Sequence, residues 1–91
     1  MAITLGKSPI IFTEAGDEIP QDGRNWCVAN IRMIATDSSG TFIILDKSGG
    51  REIVRSSALN VGEAEDVVFD AHWFDGFYIQ QCPGRIYVYY K

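Results

Sequence analysis

The sequence predicts an all-β domain, an antiparallel β-sandwich or small barrel of about seven to eight short strands. Three observations carry that expectation. Apolar and β-branched residues recur in short runs separated by Gly, Pro, Ser and Asp, which is how strands and turns are written in sequence. Aromatic residues crowd the C-terminus, where Tyr87, Tyr89 and Tyr90 fall in the last five positions, a bias toward sheet. Across Asn25–Thr36, where Met and Ala make a helix the competing reading, no cap or 3.6-residue apolar stripe supports one. Ninety-one residues make one domain, 1–91, with 1–24 as an N-terminal arm and loop.

In chain order, Ala2–Leu5 and Ile10–Thr13 are two apolar runs parted by Gly6-Lys7-Ser8-Pro9. Pro9 has no N–H for a ladder, so the second run starts at an edge or after a bend. Residues Glu14–Arg24 are acidic, broken by Gly and Pro, and aperiodic. They read as the longest loop, and long loops in small domains tend to carry function. Asn25–Thr36 is a long strand candidate. Its odd positions Cys27, Ala29, Ile31, Met33 and Ala35 are apolar, while its even positions are mixed. The odd face therefore goes to the core and the even face is half wet, as in an antiparallel sheet.

Asp37-Ser38-Ser39-Gly40 turns the chain into Thr41–Asp46, and Lys47-Ser48-Gly49-Gly50 returns it along Arg51–Ser56. That pair is a hairpin with glycine at its tip. Ser57–Glu65 is a polar connection in which Leu59 and Val61 suit a short strand or a loop, and Asp66–Phe74 is a strand around Val67, Val68 and Phe69. After the Asp75-Gly76 bend, two runs meet at Pro83-Gly84. Pro at the second position and Gly at the third suggest a hairpin closed by a type II turn. Such turns follow strand twist poorly, so a bulge is expected near Cys82 or Arg85. In the last run Ile86, Val88 and Tyr90 share one face and Tyr87 and Tyr89 the other. Both faces are apolar enough to be covered, which predicts an interior strand.

Charge and composition exclude more than they assign. Twelve acids against eight basic residues give a net charge of −4 with no basic run, which argues against nucleic-acid binding. The N-terminus lacks a signal pattern and no apolar run reaches spanning length, so synthesis in a cytosol and no membrane contact are expected. Cys27 and Cys82 lack metal-type spacing; two buried thiols are favoured over one disulfide. His72 is the single histidine and reads as packed or solvated, because a Cys–His dyad needs a third group to position the base. Asp66 and Asp70 share a strand face, as a solvated acidic edge or, alternatively, a calcium site without EF-type spacing. Gly49-Gly50 has no phosphate-loop context. No catalytic group, cofactor site or metal site emerges, so a non-enzyme is expected. Trp26, Trp73 and Phe74 suit the core first and a ligand surface second.

Gly40–Gly50 (Gly-Thr-Phe-Ile-Ile-Leu-Asp-Lys-Ser-Gly-Gly), the apolar Val67-Val68-Phe69, the Phe74–Ile79 segment and the closing Ile86–Tyr90 together resemble a type of small virion protein common in tailed bacteriophages. The likeness covers about two thirds of the chain and departs at Cys82-Pro83, where polar turn residues are commoner. It implies a structural part of the particle, a capsid decoration (cement) protein or a small neck or tail component. Such a protein is made in the host cytoplasm, resides in the virion, and contacts capsid or other virion proteins and copies of itself without a cofactor. The residues expected at those contacts are Ile3, Leu5, Ile10, Ile11 and Phe12 of a separable arm, Glu14, Asp17 and Glu18 of the loop, and Trp26 and Trp73. The alternative is a non-enzymatic carbohydrate- or receptor-binding β module using Trp26, Trp73 and Phe74.

Overall fold

The computed structural model describes residues 9–19 and 25–90, with the side chains of 70–72 excepted. The Ala2–Leu5 run, residues 20–24, the His72 side chain and Lys91 lie outside the described residues, and with them the contacts expected of Ile3 and Leu5. The strands are β1 (Ile10–Phe12), β2 (Glu18–Ile19), β3 (Trp26–Ala35), β4 (Ile43–Leu45), β5 (Glu52–Arg55), β6 (Ala64–Phe74), β7 (Phe77–Gln81) and β8 (Gly84–Tyr90). They form two four-stranded antiparallel sheets, ordered β1-β8-β3-β6 and β2-β7-β4-β5. The chain is thus all-β and sandwich-like, as the sequence predicts.

The pairing has a simple rule. β4 pairs with β5, β3 with β6, β2 with β7 and β1 with β8. The chain is one long antiparallel hairpin, its tip at Lys47–Gly50, rolled so that successive pairs fall alternately in the two sheets. This is the jelly-roll arrangement of eight strands. Its consequence is that, among the described residues, β4–β5 is the one sequence-adjacent pair joined edge to edge, and the other connections between these strands change sheet.

That corrects the terminal hairpin. β7 and β8 belong to different sheets, and Pro83-Gly84 is a crossing, not a turn. Three Cα steps separate Gln81 from Gly84, an extended reach of roughly 10 Å, which is about the spacing between packed sheets. The chain bends at Pro83 within that short span and enters β8 at Gly84. Pro83 fixes φ near the extended range and biases Cys82 the same way. The Asp37 and Ser38 N–H groups then donate to the Pro83 carbonyl at 2.9 and 3.1 Å and seat the crossing. The positive-φ glycines among the described residues are Gly16, Gly49 and Gly62; Gly84 is absent from that set, as a type II turn would forbid. The irregularity expected near Cys82 is present on β7, where Ile43 pairs with Gln81 and Ile44 with Ile79 so that Gln80 is the extra residue, and a further one lies in β3.

β3 carries a register shift between Val28 and Asn30 against both of its neighbours. Against β8 the Val28–Asn30 span opposes Tyr90–Tyr89, one extra residue in β3, which inverts the side-chain alternation. Against β6 it opposes His72–Val68, so the extra residues there are in β6. Before the shift the even positions Trp26 and Val28 face the core; after it the odd positions Ile31, Met33 and Ala35 do. Cys27, expected inward, is opposite Trp73 on the outer side of the sheet. β8 is interior, between β1 and β3, but one face alone is covered: Ile86 and Val88 are fully buried, whereas Tyr87 is half-buried and Tyr89 is exposed.

The core joins the inner faces of both sheets. Ile10, Phe12, Val28, Ile31, Met33, Ile86 and Val88 come from the first, and Ile19, Ile44, Val54, Phe77 and Ile79 from the second. Phe42 and Leu59 seal one end, where Gly40 and Leu59 exchange backbone hydrogen bonds of 2.9 and 2.8 Å in an isolated bridge. Ile10 and Phe12 therefore belong to the domain itself, and the expectation of a separable arm reaching through Thr13 is corrected. With period-two alternation, a short strand pairing with β8 must present either Ile10 and Phe12 or Ile11 inward, and the larger apolar pair wins.

Candidate functional site

Of the residues expected to touch a partner, several are spoken for. Ile10, Phe12 and Trp26 are core residues, with Trp26 set edge-on against Tyr90 at 5.0 Å between ring centroids. Asp17 is buried: its Oδ2 accepts from the Thr13 and Glu14 N–H groups, both at 3.2 Å. The turn it closes is docked on β7, with Gly16 N–H donating to Ile79 O and Ile79 N–H to Asp17 O. A carboxylate that satisfies two loop donors is structural, so the contacts expected of Ile10, Phe12 and Asp17 are corrected, while Trp26 takes the core place favoured for it over a contact. Glu14 is exposed and Glu18 half-buried on the edge strand β2. Ile11 and Trp73 remain, and both lie on the outside of the first sheet.

That outer face is built by register. Ile11, Tyr87, Arg32 and Asp66 form one row across β1, β8, β3 and β6; Tyr89, Asn30 and Val68 form the next. Ile34 and the Cys27–Trp73 pair extend it to either side. Val68 is 80% exposed and Trp73 63%. The row's opposite charges meet in an Arg32–Asp66 ion pair at 3.0 Å, both side chains about two-fifths exposed, a geometry worth little stability in water. Asp66 is thereby engaged with a guanidinium, and the Asp70 side chain, its expected companion in a cation site, lies outside the described residues. Near the bulge the Asn30 Oδ1 is buried without a hydrogen-bond partner. The middle of the face is mostly apolar with its Arg32 and Asp66 charges opposed, and Arg85 stands exposed opposite Ile34 at one end. Exposed apolar area of this kind marks contact surfaces.

A second feature lies at the open side of the sandwich, where β5 and β6 are the facing edge strands. A cleft of about 450 Å³ is walled by Phe69, Trp73, Phe74 and Ile53. Asp46, Arg51, Glu52 and Asp75 stand around it. Two of the acids are held in place: Asp46 Oδ1 accepts from the Arg51 N–H at 2.8 Å, and Glu52 Oε1 from the Arg55 guanidinium at 2.8 Å. The aromatic wall is anchored inward by a run of rings, Phe69 against Phe74 at 5.4 Å, Phe74 against Phe77 at 5.8 Å, and Phe77 against Phe12 at 6.2 Å. The sequence reading singled out Trp73 and Phe74 but not Arg51, Asp46 or Glu52. Nothing local signals those three, because Glu52 of β5 and Asp46 and Arg51 of the turn before it meet the β6 aromatics only through the packing of the two sheets.

Both cysteines are free thiols at least partly withdrawn from solvent, Cys27 buried and Cys82 partly so. Burial pushes the Cys82 thiol above the ordinary cysteine range, and the Asp17 and Asp37 carboxylates push it further. Its Sγ–H donates to the Gly84 carbonyl at 3.0 Å. Because the thiolate is the nucleophile, iodoacetamide at mildly alkaline pH should label Cys82 at least about tenfold more slowly in the folded protein than in urea. Peptide mass spectrometry checks this; equal rates would mean an exposed or activated thiol. Among the described residues no three His, Cys, Asp or Glu side chains gather as a metal-binding group. Comparison with known proteins returned no matching family model, no matching curated protein and no matching solved structure.

Proposed function

We propose that this chain is a non-enzymatic structural protein of a tailed-bacteriophage virion, of the capsid-decoration type, held to capsid or neighbouring virion proteins by the outer face of its first sheet. The observation that carries the reading is that face: Val68, Trp73 and Tyr89 stand exposed beside half-buried Ile11, Ile34 and Tyr87, with the Arg32–Asp66 pair neutralising its middle. A face like this gains from being covered, since each square ångström of apolar surface withdrawn from water contributes about 25 cal/mol. The resemblance of Gly40–Gly50 and Phe74–Tyr90 to small phage virion proteins supports the same class. Jelly rolls serve in capsid domains and in ligand-binding domains alike, so the fold by itself decides nothing between them.

The test is incorporation. Val68→Lys and Tyr89→Lys place a charge on the face at exposed positions, where folding stability should change by no more than about 0.5 kcal/mol. Particles purified from phage carrying either variant should contain at least about tenfold less of the protein by quantitative mass spectrometry. Wild-type particles without the protein, or variants incorporated in full, would overturn the reading.

A further inference from the structure

The cleft between β5 and β6 shares Trp73 with the outer face, and the rest of its lining has a chemistry of its own. Tryptophan is usually well covered in folded proteins, yet Trp73 is 63% exposed at the cleft mouth. Phe69 and Phe74 continue the apolar wall and are braced edge to face, so the wall is rigid before any ligand arrives. The polar rim supplies both hydrogen-bonding senses. Arg51 donates only, and the carboxylates of Asp46, Glu52 and Asp75 accept only.

Each candidate ligand class meets this set differently. A phosphate group faces three carboxylates against one guanidinium. A quaternary cation suits aromatic rings and acids, but meets Arg51 in the same cleft. A wholly apolar ligand would strip water from four charged groups. A neutral sugar fits every part: its C–H face covers an aromatic ring, and its hydroxyls donate to carboxylates while accepting from the guanidinium. The volume of about 450 Å³ lies within the usual range for small-ligand sites and holds roughly one or two pyranose rings.

We infer that this cleft is a saccharide-binding site in which Trp73 is the stacking platform and Arg51, Asp46 and Glu52 read the hydroxyls. Preorganisation favours it, because the Arg51 N–H and the Arg55 guanidinium already hold the Asp46 and Glu52 carboxylates, which lowers the ordering cost of binding.

The full chain, labelled with ¹⁵N, would be titrated with mono- and disaccharides of glucose, galactose, mannose, rhamnose and N-acetylglucosamine. Tetramethylammonium and inorganic phosphate serve as competing chemistries. The expected result is a saturable shift of the Trp73 indole N–H with at least one of these sugars. Trp73→Ala and Arg51→Ala should each weaken that binding about tenfold, with an unchanged melting curve for the Trp73 variant showing that the fold is intact. Val68→Lys should leave the affinity as it is, so failure of the attachment reading and failure of this one are separable. The inference is overturned if no sugar gives a saturable shift, if tetramethylammonium or phosphate binds where the sugars do not, or if Trp73→Ala binds as tightly as the wild type.

Discussion

Phe12→Ala is expected to cost about 3–5 kcal/mol, a large share of the roughly 5–15 kcal/mol that holds a domain together. Phe12 is fully buried, lies tilted against Phe77 of the opposite sheet with ring centroids 6.2 Å apart, and sits opposite Ile86 in the β1–β8 ladder. Truncating it removes the ring that links the two sheets at that level and leaves a cavity that short edge strands cannot collapse to fill. The melting temperature should fall by on the order of 20 °C. Ile11→Ala is the internal control. Its side chain points to the outer face, where the loss should stay near 1 kcal/mol. Equal losses at the two positions would mean that β1 is seated in the opposite phase. By the same physics, a chain cut after Thr13 loses Ile10 and Phe12 together, and it should show no cooperative thermal transition. Its failure to join a particle would then report unfolding, not a missing contact, which is why the attachment test uses Val68 and Tyr89.

What the sequence disclosed follows the range of the interactions. The β4–β5 hairpin is legible because its tip, Lys47-Ser48-Gly49-Gly50, and both arms lie within one short window, and Gly49 does adopt positive φ. The alternation of Ile86 and Val88 against Tyr87 and Tyr89 is legible for the same reason. The phase of β3 is not, because the irregularity after Val28 is set by partners at Tyr89 and Val68, more than thirty positions away. Pro83-Gly84 misleads because a proline that prepares a turn also prepares a crossing; what decides is the demand that β8 lie between β1 and β3. Asp17 reads as a surface acid until the Thr13 and Glu14 N–H groups are seen to need an acceptor. The cleft shows the limit most clearly. Trp73 and Phe74 are neighbours in sequence and point to opposite sides of β6, yet both line it because it wraps around that strand's edge.

The crossing also sets the second large effect. A Cβ at Gly84 would land on the Ile34 carbonyl oxygen, 2.5 Å from the Thr36 nitrogen and 3.0 Å from the Ala35 Cα. These are backbone atoms of β3 and the residue after it, so no side-chain rotation relieves the contact. Gly84 opposes Ala35 at the end of the β8–β3 ladder, and the Asp37 and Ser38 N–H bonds to Pro83 hold the chain there. To accept a methyl group, β8 must lift from β3 at the one place where the crossing has no slack. Gly84→Ala should therefore exceed ordinary overpacking and cost about 3 kcal/mol or more. Gly49→Ala offers the contrast: φ is +75° with nothing within 4 Å of the new methyl, so the penalty is backbone strain alone, about 1–2 kcal/mol. Urea midpoints at unchanged slope would rank the two. If Gly84→Ala proved the milder, β8 would not approach β3 as closely as this crossing requires, and Pro83-Gly84 would have to be a turn after all.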